Sequence, residues 1–261
     1  MENDLRHALA KNELVLHWQP VLSARTGAMT GAEALVRWQH PEAGLLMPDS
    51  FIPVAEECGL IRPLGQWTME RALSQAGAWR RQYGGDLCFA LNVSAHELSQ
   101  GQSYVTMLEE ALMANQLPGR CVELEVTERV LMSQLEENVQ TLRQIGALGV
   151  RVAIDDFGTG YSSLAYLRQL PIDKLKIDRS FLRELDAHPH DEAIVQAIAA
   201  MAKALGLRVA AEGVETEAQL TRLRALGCDE WQGHHFSASV DAAGFEKFLA
   251  MENKQQEKTA S

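Results

Sequence analysis

The sequence contains few cysteines, and their spacing excludes the common cysteine sites. It has four cysteines in 261 residues, no two of which form a CxxC pair. Such isolated cysteines argue against a disulfide framework or a zinc site, and they predict reduced thiols in a cytoplasmic compartment. The four are Cys58, Cys88, Cys121 and Cys228.

Basic residues and long hydrophobic runs are also scarce. Lysine and arginine number 24 against 35 acidic residues, a net charge of −11. Polymeric nucleic acid is therefore not an expected partner, because such binding depends on a basic surface. A small ligand that carries phosphate is compatible, since a local site can differ in sign from the whole. No run approaches the ~18–20 apolar residues that span a bilayer. We expect a cytoplasmic protein or the cytoplasmic part of a membrane-anchored one.

Short apolar runs alternate with longer amphipathic ones along the chain. Several of the short runs are apolar almost to their last residue, which is typical of parallel strands buried on both faces. Amphipathic stretches such as 64–83 and 191–205 separate them and predict helices. Eight strands alternating with helices in about 240 residues indicate a (β/α)8 barrel of the TIM type. The predicted strands are 14–22, 28–38, 87–94, 121–128, 150–156, 174–178, 208–213 and 230–236.

The connection between the first two predicted strands is too short for a parallel crossover. Only residues 23–27 separate them, whereas a crossover needs a dozen residues or more. The first strand should therefore run antiparallel, which gives a modified (β/α)8 TIM-like barrel with one reversed strand. We expect residues 1–12 to form a leading helix or linker, 13–250 the barrel and 251–261 a polar tail.

Polar residues interrupt the apolar strands mainly near the carboxyl ends, which converge at one mouth of a barrel. Five carboxylates crowded there, those of Glu33, Glu125, Asp155, Asp156 and Glu212, would require protons or cations. Two divalent cations and one lysine would balance them, and oxygen ligands favour Mg²⁺ or Mn²⁺. An Asp-Asp pair at a strand end suits a bridged two-metal site for phosphoryl displacement. Separate salt bridges or helix caps would explain any one of these residues, but explain the whole set less well. The set is Glu33, Asn92, Glu125, Glu128, Asp155, Asp156, Lys176, Glu212 and Gln232.

Taken together, the motifs resemble the EAL-domain family of cyclic di-GMP phosphodiesterases. The resemblance covers about residues 3–250 and follows the family's motif order. It rests on EAL with Arg37 at 33–37, NVS at 92–94, EVTE at 125–128, DDFGTGYSS at 155–163, KLKID at 174–178 and EGVE at 212–215.

The resemblance implies hydrolysis of one phosphodiester bond of cyclic di-GMP, giving linear pGpG. It implies that two divalent cations activate a water nucleophile. Lys176 matches the lysine that holds this water, and Glu33 and Glu212 match carboxylates of the catalytic centre. The matching metal ligands are Glu33, Asn92, Glu125, Asp155, Asp156 and Glu212.

The resemblance also implies residues outside the metal centre. Glu128 and Glu215 match loop-anchoring positions, and Glu128 would steady the loop after the fifth predicted strand. A homodimer and fusion to sensory or GGDEF-type domains are expected from the family. Gln19, Leu35, Arg37 and Gln232 match positions near the substrate.

Three departures from the family pattern lie near the expected substrate. Trp18 replaces a tyrosine, His234 replaces an aromatic residue, and residues 237–240 replace a stretch with a basic residue and a proline. None is a metal ligand.

The alternative to an enzyme is a catalytically silent EAL domain that acts as a cyclic di-GMP receptor or signalling scaffold. A further alternative is an enzyme that is inactive in isolation.

Overall fold

A single closed sheet forms the centre of the molecule. The computed structural model describes residues 1–160, 167–183, 185 and 189–260. Nine strands follow the spatial order β1-β9-β8-β7-β6-β5-β4-β2-β3, and pairing of β1 with β2 closes the barrel. Eight strands form the barrel, and β3 extends β2 outside it. The strands are β1 (Leu14–Ser23), β2 (Met29–His40), β3 (Gly44–Leu46), β4 (Cys88–Asn92), β5 (Val122–Thr127), β6 (Arg151–Phe157), β7 (Lys174–Ile177), β8 (Arg208–Ala211) and β9 (Glu230–Trp231).

The reversed first strand is confirmed. β1 is antiparallel to both β2 and β9, whereas β2 and β4 through β9 pair in parallel. The short connection between β1 and β2 forms a hairpin, as predicted, because a parallel crossover would need a helix between the strands. The β1–β2 register places Gln19 opposite Glu33 and His17 opposite Leu35.

Helices surround the barrel and enclose its core. A continuous cluster of buried apolar side chains fills the space between helices and sheet, and a smaller cluster packs beneath α1. Among the described residues, no helix combines the length and apolarity that crossing a bilayer requires. Within the described residues, the α-helices are α1 (Glu2–Lys11), α2 (Ile52–Glu57), α3 (Ile61–Tyr83), α4 (Ala95–Leu98), α5 (Gln102–Ala114), α6 (Glu128–Ser133), α7 (Leu135–Ala147), α8 (Pro189–Ala204), α9 (Glu217–Leu226) and α10 (Ala242–Ala260).

The last barrel strand is shorter than predicted, and one short strand outside the barrel was not predicted. The last strand contains only Glu230–Trp231, not 230–236, because the chain turns after it. The N–H groups of Phe236 and Ser237 both donate to the Gly233 carbonyl, at 3.2 Å each, and close that turn. The short strand Gly44–Leu46 was not predicted. Its three residues pair only with the end of β2. A strand of three residues is too short to show an alternating pattern in the sequence.

Candidate active site at the barrel mouth

Four carboxylates surround one lysine inside the mouth of the barrel. Lys176, on β7, is only 3% exposed. Its Nζ lies 2.5 Å from Glu212 Oε1, 2.7 Å from Glu125 Oε2, 3.3 Å from Asp155 Oδ1 and 3.6 Å from Glu33 Oε2. These side chains come from five strands or strand ends, so the structure brings together residues that are widely separated in sequence.

Two amide side chains orient Glu33 within this group. Asn92 Nδ2 donates to Glu33 Oε1 at 2.7 Å, and Gln232 Nε2 donates to Glu33 Oε2 at 2.7 Å. Asn92 ends β4, and Gln232 follows β9, on either side of the β1–β2 hairpin. Both Glu33 oxygens therefore face fixed donors. Asn92 and Gln232 are thus connected through Glu33 to the cluster around Lys176.

Burial sets the electrostatics of the cluster. Burial raises the pKa of Glu125 and of Glu212 well above the usual glutamate value, with neighbouring carboxylates adding to the effect. Burial acts against the Lys176 ammonium, but the carboxylates, Asp155 first, outweigh it and hold the Lys176 pKa well above its usual value. For Asp155, burial has the largest single effect, but Lys176, the Glu212 side chain and the Asp156 backbone together outweigh it, and the Asp155 pKa is lowered. Among the described residues, the Lys176 ammonium is the only cation that forms ion pairs with these four acids.

Asp156 lies beside the cluster in an unusual backbone conformation. Its φ is 53°, in the left-handed region that non-glycine residues rarely adopt. The β6–β7 register shifts between Ile154 and Phe157, so strict alternation of side chains is interrupted at this point. Burial, then Asp155 and Asp178, raise the pKa of Asp156 to about 6. Asp156 makes no ion pair with Lys176, unlike the other four predicted acids.

The two predicted loop-anchoring glutamates occupy different environments. Glu128 begins α6 and is buried, and a Cβ on Gly160 would lie 2.7 Å from its Oε1. Glu128 thus packs against the backbone of the loop that follows Asp155 and Asp156. The predicted segment 155–163 extends into residues 161–163, which lie outside the described residues. Glu215, in contrast, is exposed, and its side chain makes no hydrogen bond or ion pair to a described residue.

The predicted substrate residues line the rim around this cluster. Leu35 and Arg37 follow Glu33 at two-residue intervals on β2, so the three share a face. Gln19, half-buried on β1, donates through Nε2 to the Ser237 carbonyl at 3.4 Å. Arg37 Nη2 donates to Ser239 Oγ at 2.9 Å. Of the departures from the family pattern, Trp18 is fully buried in the barrel wall, and His234 is exposed.

Three residues that the sequence did not single out contribute to the site. Asp178 raises the pKa of Asp156, and its position within KLKID was the one available signal. His17 lies opposite Leu35 on the mouth face of the hairpin. Gln219 accepts from the Glu215 N–H at 2.7 Å and donates to the Leu182 carbonyl at 2.8 Å. It thereby connects the loops after β7 and β8, a contact that no local pattern reveals.

The donor set fits a hard divalent cation in its chemistry. Glu125 Oε2, Asp155 Oδ1 and Glu212 Oε1 are buried and make no hydrogen bond of normal geometry, although each lies near Lys176. Carboxylate and amide oxygens are the ligands preferred by Mg²⁺ and Mn²⁺. Within the described ranges, no three acidic, histidine or cysteine side chains already converge as a metal site. The carboxylates converge on Lys176 instead.

Comparisons with known proteins agree with this geometry. The family model for the EAL domain matches residues 2–239. The chain is 45% identical over 249 residues to the cyclic di-GMP phosphodiesterase NbdA of Pseudomonas aeruginosa, covering 95% of this chain and 32% of that protein. It is 45% identical over 231 residues to the bifunctional diguanylate cyclase/cyclic di-GMP phosphodiesterase MucR of Pseudomonas aeruginosa, covering 88% of this chain and 34% of that protein.

A solved structure is similar over nearly its whole length. The PaMucR phosphodiesterase in complex with c-di-GMP superposes with a TM-score of 0.90 at 43% identity, covering 93% of this chain and 98% of that one. The chain spans about a third of the length of the curated relatives it matches. Divalent-metal dependence is general among EAL phosphodiesterases. By its matching family model, its motifs and its barrel with one reversed strand, the chain belongs to the EAL domain family.

Proposed function

We propose that this chain hydrolyses cyclic di-GMP to linear pGpG. The observation that carries the proposal is the excess of buried carboxylates over Lys176, the only cation that forms ion pairs with them among the described residues. Such an excess is costly unless cations complete it. Relatives that act on cyclic di-GMP, and a similar structure that contains it, support this substrate.

Two divalent cations, Mg²⁺ or Mn²⁺, would complete the site. When bound there, they would stabilise charge on the phosphoryl oxygens and acidify the attacking water. The proposed ligands are Glu33, Asn92, Glu125, Asp155, Asp156 and Glu212, in line with the resemblance. Asn92 is bonded to Glu33 and is the exposed member of the pair, so it lies on the solvent side of the mouth.

Lys176 would orient the water rather than remove its proton. Its four carboxylate neighbours keep the ammonium protonated, so Nζ donates hydrogen bonds and supplies positive charge. The water oxygen forms a bond to phosphorus, and the bond from phosphorus to the ribose 3′ oxygen breaks. The attacking water gives up a proton, and the ribose 3′ oxygen takes one up and leaves as the free hydroxyl of pGpG. Arg37 at the rim suits a phosphate, because its planar fork can donate to two oxygens.

The competing function is binding of cyclic di-GMP without turnover. Every acid that a metal centre would require is present, and four of them meet at Lys176, which favours the enzyme. Since the curated relatives are about three times as long, attachment to a further domain such as the cyclase part of MucR is part of the proposal. A homodimer stays a prediction.

A product assay tests the proposal. The chain, stripped of metal and then supplied with Mg²⁺ or Mn²⁺, should convert cyclic di-GMP to pGpG, resolved by ion-exchange chromatography. Tight binding in calorimetry without product under either metal would support the receptor instead. A chain that neither binds nor cleaves cyclic di-GMP would overturn both.

A further inference from the structure

The segment after β9 is held against the first strand at a defined register. The Trp18 N–H donates to the Val240 carbonyl at 2.7 Å, and the Val240 N–H donates to the Trp18 carbonyl at 3.0 Å. Gln19 Nε2 reaches the Ser237 carbonyl at 3.4 Å. Ser239 lies between these two attachment points. Its backbone therefore has little freedom, and its side chain has a fixed position at the rim of the mouth.

Arg37 is the group that meets this side chain. It is 4% exposed, and no carboxylate among the described residues forms an ion pair with it. Nη2 donates to Ser239 Oγ at 2.9 Å, and Nη1 donates to the Val36 carbonyl at 2.9 Å. Burial lowers the Arg37 pKa, with Glu33 and Asp49 acting in the opposite direction without forming an ion pair. A buried guanidinium with only neutral acceptors is poised to receive an anion.

His17, on the neighbouring strand β1, also interacts electrostatically with the guanidinium. Burial lowers the pKa of this half-buried imidazole, Arg37 lowers it further, and the Ser239 backbone acts in the opposite direction. His17 therefore adds no second positive charge at neutral pH. Arg37 is the cation of this part of the rim, and Ser239 is its side-chain partner there.

We propose that Ser239 is a positioning residue that fixes the Arg37 fork for a phosphate of the cyclic dinucleotide. The inference rests on the proposed function and deepens it. The hydroxyl accepts one N–H and so limits rotation of the guanidinium, which leaves the remaining donors directed at the bound anion. Its loss should affect binding of the ligand, because Arg37 lies at the rim and makes no contact with Lys176.

The experiment compares Ser239→Ala with Ser239→Thr, which keeps the hydroxyl, and with Ser237→Ala. Ser237 is a matched control, because its hydroxyl bonds only the adjacent Ala238 carbonyl at 2.7 Å. For Ser239→Ala we expect about a ten-fold rise in KM and in the Kd for cyclic di-GMP, with kcat within about two-fold of the parent. In both Ser239→Thr and Ser237→Ala, KM should equal that of the parent protein.

A double-variant cycle shows whether Ser239 acts through Arg37. In an Arg37→Ala background, Ser239→Ala should have no further effect on Kd. An unchanged KM and Kd in Ser239→Ala, or an equal effect with and without Arg37, would overturn the inference. If the parent binds cyclic di-GMP but does not cleave it, the hydrolase proposal fails, while the Kd comparison still decides the role of Ser239. A parent that does not bind the dinucleotide overturns both.

Discussion

Lys174 and Lys176 lie two positions apart on β7, and each ammonium is the centre of a different buried cluster. Lys174 Nζ is 2.6 Å from Glu123 Oε1 and 2.5 Å from Glu230 Oε2, and Arg208 also pairs with both acids. That cluster has two cations for two carboxylates. The cluster around Lys176 has one cation for four carboxylates. The same barrel thus contains one buried cluster whose charges balance and one whose excess negative charge added cations would balance.

Replacing each lysine by methionine should separate stability from catalysis. Lys174→Met breaks a balanced buried network, and we expect a loss of about 3 kcal/mol in the free energy of unfolding with turnover largely retained by the folded fraction. Lys176→Met should lower kcat at least about a hundred-fold, since it removes the group that orients the water. Urea unfolding and the pGpG assay measure the two effects. Wild-type turnover in Lys176→Met would contradict the role of Lys176.

Glu33→Gln tests the carboxylate that accepts hydrogen bonds from the side-chain amides of Asn92 and Gln232. Glutamine cannot accept from Asn92 and Gln232 with two oxygens, so one amide would lose its acceptor, and a negative charge would leave the site. We expect kcat/KM to fall more than about a hundred-fold while the circular dichroism spectrum is unchanged. Glu42→Gln, in the exposed β2–β3 turn, is the control. Full activity in Glu33→Gln would remove Glu33 from the site.

Glu128 and Glu215 should differ, although the family resemblance treats both as anchors. Glu128→Ala removes a buried carboxylate that packs on Gly160, and the loop after Asp156 would shift. We expect at least about a ten-fold loss of kcat and weaker activation by metal. Glu215→Ala changes an exposed side chain and should leave both unchanged. Equal effects of the two variants on metal titration curves would show that burial against the loop is not the cause.

The buried carboxyl of Glu97 lies outside the cluster around Lys176 and should make the free energy of unfolding depend on pH. It is buried, its Oε2 accepts from Ser94 N at 2.9 Å and Ser94 Oγ at 2.6 Å, and burial raises its pKa above the usual 4.5 despite these bonds. The folded state therefore binds this proton more tightly than the unfolded state. Its contribution to stability is present at low pH and is lost as pH rises through the raised pKa.

Glu97→Gln, which keeps an acceptor for Ser94, should remove this dependence. Relative to the variant, the wild-type free energy of unfolding should fall as pH rises above the usual glutamate pKa of 4.5 and through the raised pKa of Glu97. Urea unfolding at several pH values measures the difference. A difference between the two proteins that is constant with pH, or that changes in the opposite direction, would contradict the assignment.

Much of the site was predictable because it depends on local signals. Glu125 and Lys176 interrupt apolar strands, and residues 23–27 are too few for a crossover, so each prediction rests on a short segment. The contacts of Gln219 with Leu182, and of Ser239 with Arg37, join distant segments, and no periodicity encodes them. The last strand was predicted too long for a related reason, since the turn that ends it is closed by backbone hydrogen bonds to the Gly233 carbonyl, which the local sequence does not reveal. The exposure of Glu215 likewise depends on how its loop packs.

The most direct test of the central claim is the turnover of cyclic di-GMP as a function of divalent cation. The claim is that the carboxylates around Lys176 need added cations to become a catalytic centre. Chelator-treated protein should form no pGpG, and Mg²⁺ or Mn²⁺ should restore product formation and raise the thermal unfolding midpoint. Full turnover in excess chelator, or tight binding of cyclic di-GMP without product at any metal concentration, would contradict the claim.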